Sequence, residues 1–161
     1  MKNSGATKPN IETLYHKYAD MLYRVALSTL QNDMDAQDAV QDVFIKFMSA
    51  NPDFKDEEHE KAWILRVTVN RCNDMLRSRK IRLKFHADSE IEPATPAPKA
   101  RQELFEILHS IPEKYKSTII LHCLEGLSLQ ETADILGITL SAAKMRLKRA
   151  RDIIKGEGKD V

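Results

Sequence analysis

Two cysteines, five glycines and one tryptophan are all that 161 residues hold of these types, and neither charge sign dominates: 25 basic against 24 acidic side chains leave a formal +1. Cys72 and Cys123 stand apart in separate apolar-periodic segments, which argues against a disulfide framework or a zinc knuckle and for a reducing cytoplasm. No apolar run is long enough for a membrane span, and the first ten residues lack the apolar core of a signal peptide, so a soluble protein is expected. No segment alternates as a half-buried strand does, and no internal repeat is visible. His16, His59, His86, His109 and His122 are scattered without metal spacing or a nucleophile partner. An enzyme is therefore the least expected class, and no cofactor or metal is implied.

What the chain does have is charge sorted by position. From Asp33 to Glu60, nine acids stand against Lys46 and Lys55, about −7. From Lys61 to Lys84, eight bases stand against Asp74, about +7, and from Lys144 to Lys155 six bases stand against Asp152, about +5. Two basic stripes far apart in sequence suit nucleic acid, and the acidic stretch would repel it.

Periodicity organises the chain as all-α, two small helical domains joined by a flexible linker. The expected boundaries are 10–82, an acidic Pro-containing linker over 83–100, and 101–156. Ile11, Leu14, Tyr15, Tyr18, Leu22, Val25, Ala26, Thr29 and Leu30 predict a helix over about 10–31. Asp33 can cap a second, with Ala36, Val40, Val43, Phe44 and Phe47 buried and Asn51-Pro52-Asp53 ending it. Its opposite face carries Asp38, Gln41, Asp42 and Ile45, either a solvated surface or a dock for a basic protein. Residues 51–59 read as an acidic loop. A third helix, Glu60 to Lys80, buries Ala62, Leu65, Val69, Cys72 and Leu76 and carries a ridge of Arg66, Asn70, Asn73 and Arg77. Trp63, Asn70 and Arg71 suit unpaired bases, although a single tryptophan is more often core.

The second domain opens with a short helix carrying Leu104, Ile107 and Leu108. Pro112 at a first helical position then starts another, with Tyr115, Ile119, Ile120, Cys123 and Leu124 apolar and Gly126 closing it. Ser128-Leu129-Gln130-Glu131 is a capping box, Ala133 permits a close crossing, Gly137 makes the turn and Thr139 caps the next helix. This is a helix-turn-helix, with Ile135, Leu136, Ile138, Ala143 and Leu147 buried. Ser141, Ala142, Lys144, Met145, Arg146, Lys148 and Arg149 are left for solvent or duplex DNA. A basic helical hairpin is the plainer alternative; capping box, small residue, glycine turn and basic second helix together favour DNA.

At this point the chain resembles the extracytoplasmic-function sigma factors, over about residues 11–155. Asp35-Ala36-Gln37-Asp38-Ala39-Val40-Gln41-Asp42-Val43-Phe44 is similar to the family's polymerase-binding helix. Lys61-Ala62-Trp63-Ile64-Leu65-Arg66-Val67, Asn70-Arg71 and Asp74-Met75-Leu76-Arg77 are similar to its promoter-melting helix, and the segment from Leu124 to Arg151 to its minus-35-reading helix-turn-helix. The resemblance implies that Asp38, Gln41, Asp42 and Ile45 dock on core RNA polymerase. It implies minus-10 contacts from Lys61, Trp63, Arg66, Asn70, Arg71 and Arg77, a linker threading toward the RNA exit path, and control by an anti-sigma factor. Ala143 and Met145 stand where the family more often has a β-branched residue and a serine, which implies an unusual minus-35 element. A dimeric helix-turn-helix regulator acting without polymerase, or a protein-binding adaptor, would explain fewer of these features.

Overall fold

The computed structural model describes residues 10–85 and 98–159, the last three by backbone only. Contacts divide the chain into two units, Met1–Glu90 and Ile91–Val161. Every element among the described residues is helical.

The first unit is built from α1 (Ile11–Leu30), α2 (Asp33–Ala50) and α3 (Glu57–Phe85). The Asn10 side chain accepts from the Glu12 N–H at 2.7 Å and starts α1. Between α1 and α2 the chain turns in two residues: Gln31 sits in the left-handed region (φ 58°), and Asn32 accepts from the Asp35 N–H at 2.8 Å. Asn32, not Asp33, is therefore the cap. Asp33 is already inside the helix, where it accepts from the Tyr23 hydroxyl. Asp56 caps α3 through the His59 N–H at 2.8 Å, so the helix starts three residues earlier than the periodicity predicts, and the loop is only 51–56.

Leu14, Leu22, Val25 and Leu30 from α1 meet Ala36, Ala39 and Val43 from α2 and Ile64, Leu65 and Cys72 from α3, all essentially inaccessible to water. Each such large side chain contributes about 1.5–3 kcal/mol on burial. Tyr15 departs from its expected core position: the residue is 51% exposed, its ring tilted against Phe44 at 5.1 Å. Arg79 ties the far end together, donating to the Leu30 carbonyl at 3.1 Å and pairing with Asp35. That satisfies a free carbonyl at the end of α1 and places a cation beside it. At roughly 1.5 Å per residue α3 is about 43 Å long, against about 30 Å for α1, and its last five residues are exposed.

The second unit comprises α4 (Lys99–His109), α5 (Glu113–Thr118), a π-helical continuation (Ile119–Leu124), α6 (Leu129–Leu136) and α7 (Leu140–Lys159). Pro112 stands at the N-cap of α5 rather than inside it. The π segment accounts for a second departure. Its i→i+5 turns are wider than α-turns, so the residues after Ile119 drift off the 3.6-residue stripe. Ile119, Ile120 and Leu121 are buried, whereas Cys123 and Leu124, read as core from periodicity, face solvent. Gly126 (φ 74°) then reverses the chain, with the Leu127 N–H reaching back to the Leu121 carbonyl at 3.1 Å. The linker expected over 83–100 falls largely outside the described residues; of its positions, 83–85 extend α3 and 99–100 open α4.

Candidate functional site

The helix-turn-helix forms by local rules. Ser128 Oγ accepts from the Glu131 N–H at 3.0 Å while Glu131 Oε1 accepts from the Ser128 N–H at 2.9 Å, the reciprocal capping box. Gly137 (φ 68°) ends α6 in a conformation that an L side chain resists, and the Thr139 hydroxyl accepts from the Ala142 N–H at 3.0 Å to start α7. Ala133, Ile135, Ala143, Leu147 and Ala150 are buried between the two helices and their support.

On α7 these buried positions lie about opposite Ser141, Met145 and Lys148, at about 100° per residue, with Lys144 toward one edge of that face. All four are exposed, Met145 at 51%. Arg149 is exposed at the edge of this face; Ala142 and Arg146 are half-buried on its flank. Lys144 and Arg149 make no ion pair among the described residues, while Lys148 reaches Asp152 at 3.4 Å on the surface. Of the two positions that depart from the family pattern, Ala143 is fully buried, so Met145 alone alters the exposed surface.

The face of α2 holding Asp38, Gln41, Asp42 and Ile45 divides. Asp38 and Gln41 are exposed, and Ile45 is 53% exposed. Gln41 and Ile45 line a groove of about 860 Å³ between α1 and α2, with Tyr15, Phe44 and Met48 among its walls. Asp42 lies on the α3 side of the same face, where the Arg71 side chain donates through Nε to its Oδ2 at 2.8 Å. Asp42 and Arg71, expected at separate surfaces, meet each other. A smaller cavity of about 170 Å³ lies beside them, lined also by Lys46, Asn70 and Asp74. Tyr15 and Met48 are groove residues that sequence reasoning missed; the available signal was the spacing of Ile45 and Met48, two apolar residues three apart and off the buried stripe.

On α3, Trp63, Arg66, Asn70 and Arg77 share one ridge by their spacing, whereas Lys61 and Arg71 are rotated off it. Arg66 and Asn70 are exposed, and Arg77 pairs with Asp74 at 2.9 Å. Asn73, expected beside them, is half-buried. Trp63 is half-buried in an aromatic cluster, with its ring 6.1 Å from Phe47 and 5.8 Å from Phe54. Phe54 thereby fastens the 51–56 loop to α2 and α3, and the Lys55 N–H donates to His59 Nδ1 at 3.1 Å. Glu60, counted in the acidic stretch, is not a solvated charge: its side chain is 12% exposed and accepts from the Tyr18 hydroxyl and from Lys17. Burial, then this hydrogen bond, raises the Tyr18 pKa, and the bond to Glu60 raises that of Lys17.

Known proteins place this arrangement in context. A model of Sigma-70 region 2 matches residues 14–81, and one of Sigma-70, region 4 matches residues 101–154. The chain is 31% identical over 158 residues to the RNA polymerase sigma factor SigV of Bacillus subtilis, spanning 96% of this chain and 95% of SigV. It is 29% identical to the ECF RNA polymerase sigma factor SigE of Mycolicibacterium smegmatis, spanning 93% of this chain and 62% of that one. In fold it is similar to the sigma factor RpoE of Bartonella quintana, solved with the anti-sigma factor NepR, at a TM-score of 0.70 and 21% identity over 89% of this chain and 93% of RpoE.

Proposed function

The chain belongs to the extracytoplasmic-function group of the sigma-70 family, and from that premise we propose that it directs core RNA polymerase to promoters by reading a minus-35 and a minus-10 element and melting the latter. The observation that carries the reading is the order of the two matches, region 2 on the first unit and region 4 on the second.

In this reading the exposed face of α7 enters the major groove of the minus-35 duplex. Ser141, Met145 and Lys148 lie at its centre, Lys144 and Arg149 toward its edges, and Ala142 and Arg146 on the flank. The α3 ridge of Trp63, Arg66, Asn70 and Arg77, with Lys61 and Arg71 beside it, meets the separated minus-10 strand. Asn70 offers hydrogen bonds to base edges, the arginines offer charge, and the half-buried Trp63 ring offers aromatic surface to an unstacked base. Opening the duplex takes a few kcal/mol per base, offset by contacts that only an unstacked base can make. Melting is then capture, with no covalent step. Asp38, Gln41, Asp42 and Ile45 dock on a basic surface of the polymerase.

The groove beside α2 supports control by an anti-sigma factor. Tyr15, Ile45 and Met48 leave apolar surface in a concave site next to the docking face, so an inhibitor seated there would exclude polymerase.

The test is transcription in vitro by bacterial core polymerase from promoters selected with the reconstituted enzyme. Wild type is expected to give initiation that core alone does not. Asp38→Arg is expected to lower core binding at least tenfold with unchanged circular dichroism, because it reverses charge on an exposed side chain. A chain that binds palindromic duplex as a dimer and ignores core polymerase would overturn the proposal.

A further inference from the structure

The Asp42–Arg71 pair joins the two surfaces of the first unit that the proposed function uses separately. From it we infer that Asp42 mutes Arg71 toward nucleic acid in the free chain, and that a docking partner which engages the Asp42 carboxylate releases it. The inference rests on the proposed function above and deepens it: the docking face of α2 and the nucleic-acid face of α3 are coupled through one ion pair.

The geometry has three parts. The contact is single, Arg71 Nε to Asp42 Oδ2 at 2.8 Å, and neither Asp42 Oδ1 nor the two Arg71 Nη atoms has another hydrogen bond among the described residues. Each partner therefore keeps atoms free for an outside ligand while the bond persists. Both side chains are about two-fifths exposed, 43% for Arg71 and 40% for Asp42, so a macromolecule can reach either. Finally, Asn70 lines the same cavity as both, so its side chain and the ion pair border one space.

The sign of the coupling follows from charge. In the free chain the carboxylate at 2.8 Å compensates the Arg71 charge and holds its guanidinium toward α2. A cation brought to Oδ1 competes for the same carboxylate, so Arg71 gains both effective charge and freedom to turn toward a phosphate or base. Reciprocity requires that nucleic acid on Arg71 also free Asp42 for docking. An exposed pair of this kind has a strength that limits the effect to about fivefold.

The experiment measures anisotropy of fluorescein-labelled oligo(dT) with the full chain at low salt, across wild type, Asp42→Asn, Arg71→Ala and the double variant. Asp42→Asn keeps the shape of the side chain and stands in for a carboxylate whose charge a partner has neutralised. It is expected to bind about two- to fivefold more tightly than wild type, Arg71→Ala more weakly, and the double variant no more tightly than Arg71→Ala. Equal strengthening by Asp42→Asn with and without Arg71 would mean a net-charge effect and would overturn the coupling, as would no strengthening at all. If Arg71→Ala, Asn70→Ala and Arg66→Ala all leave binding unchanged, the nucleic-acid role of α3 falls with it. If those variants weaken binding while the cycle is additive, that role stands and only the coupling fails.

Discussion

The Tyr18 hydroxyl donates to Glu60 Oε1 at 2.8 Å across the α1–α3 interface, and Lys17 reaches the same oxygen at 2.9 Å. A carboxylate counted in the acidic stretch from Asp33 to Glu60 is thus an internal support of the first unit. Glu57, one turn earlier, also approaches Lys17 at 3.2 Å, but its side chain is 80% exposed.

The two glutamates should therefore behave differently. Glu60→Ala leaves the buried Tyr18 hydroxyl without its acceptor and is expected to destabilise the first unit by about 1–3 kcal/mol in urea titration. Glu57→Ala removes only a surface pair and is expected to cost less than about 0.5 kcal/mol. Equal effects would contradict the internal role of Glu60.

Alkaline pH should destabilise the first unit. Burial pushes the Cys72 thiol from 9.0 up to about 12, and burial with the bond to Glu60 pushes Tyr18 above its ordinary 10.0. Well below pH 9 both groups are protonated folded and unfolded, so their contribution is fully present. Above it the unfolded chain releases protons that the folded chain retains, and stability falls as pH rises, by about 1.4 kcal/mol per pH unit for each fully ionised group. Cys72→Ala should shallow that fall by one group's share, as read from urea midpoints between pH 8 and pH 11.

Two glycines in the second unit should respond with opposite signs. Gly137 has a positive φ of 68° and open space where a Cβ would stand, so Gly137→Ala adds backbone strain without a clash, about 1–2 kcal/mol of destabilisation. Gly156 lies within α7 with open space and no such constraint, and Gly156→Ala is expected to stabilise by about 0.5–1 kcal/mol. Thermal unfolding of the two variants checks both signs.

Lys144→Ala should weaken binding to the selected minus-35 duplex and reduce the slope of log affinity against log salt by about one, the signature of a lost phosphate contact. Met145→Ser should leave that slope unchanged and shift which duplex is preferred, because it alters shape and polarity at the centre of the exposed face without altering charge. Competition binding over a salt series separates the two.

Much of this was legible from local rules. The capping box, the Gly137 turn, the Thr139 cap and the buried stripe of α2 each follow from neighbours within four residues, and each stands where periodicity and side-chain chemistry put it. The errors are equally specific. Asn32 took the cap expected of Asp33 because either side chain can serve and only the turn after α1 decides between them. Cys123 and Leu124 turned outward because a π segment breaks the 3.6-residue rule on which their assignment rested.

By itself, then, the sequence determined the helices, the buried face of α2, the helix-turn-helix and the sign of each charged stretch, since all of these depend on residues close together in the chain; Ala62, Leu76, Leu136 and Ile138, expected in the core, are only half-buried. Only the packing of α1, α2 and α3 decided which charges are spent inside the unit: Glu60 on Tyr18 and Lys17, Arg79 on Leu30 and Asp35, Arg71 on Asp42. Those pairs span 29 to 49 positions in sequence. No periodicity encodes such a separation, because a side chain's partner is set by which helix faces it across the core.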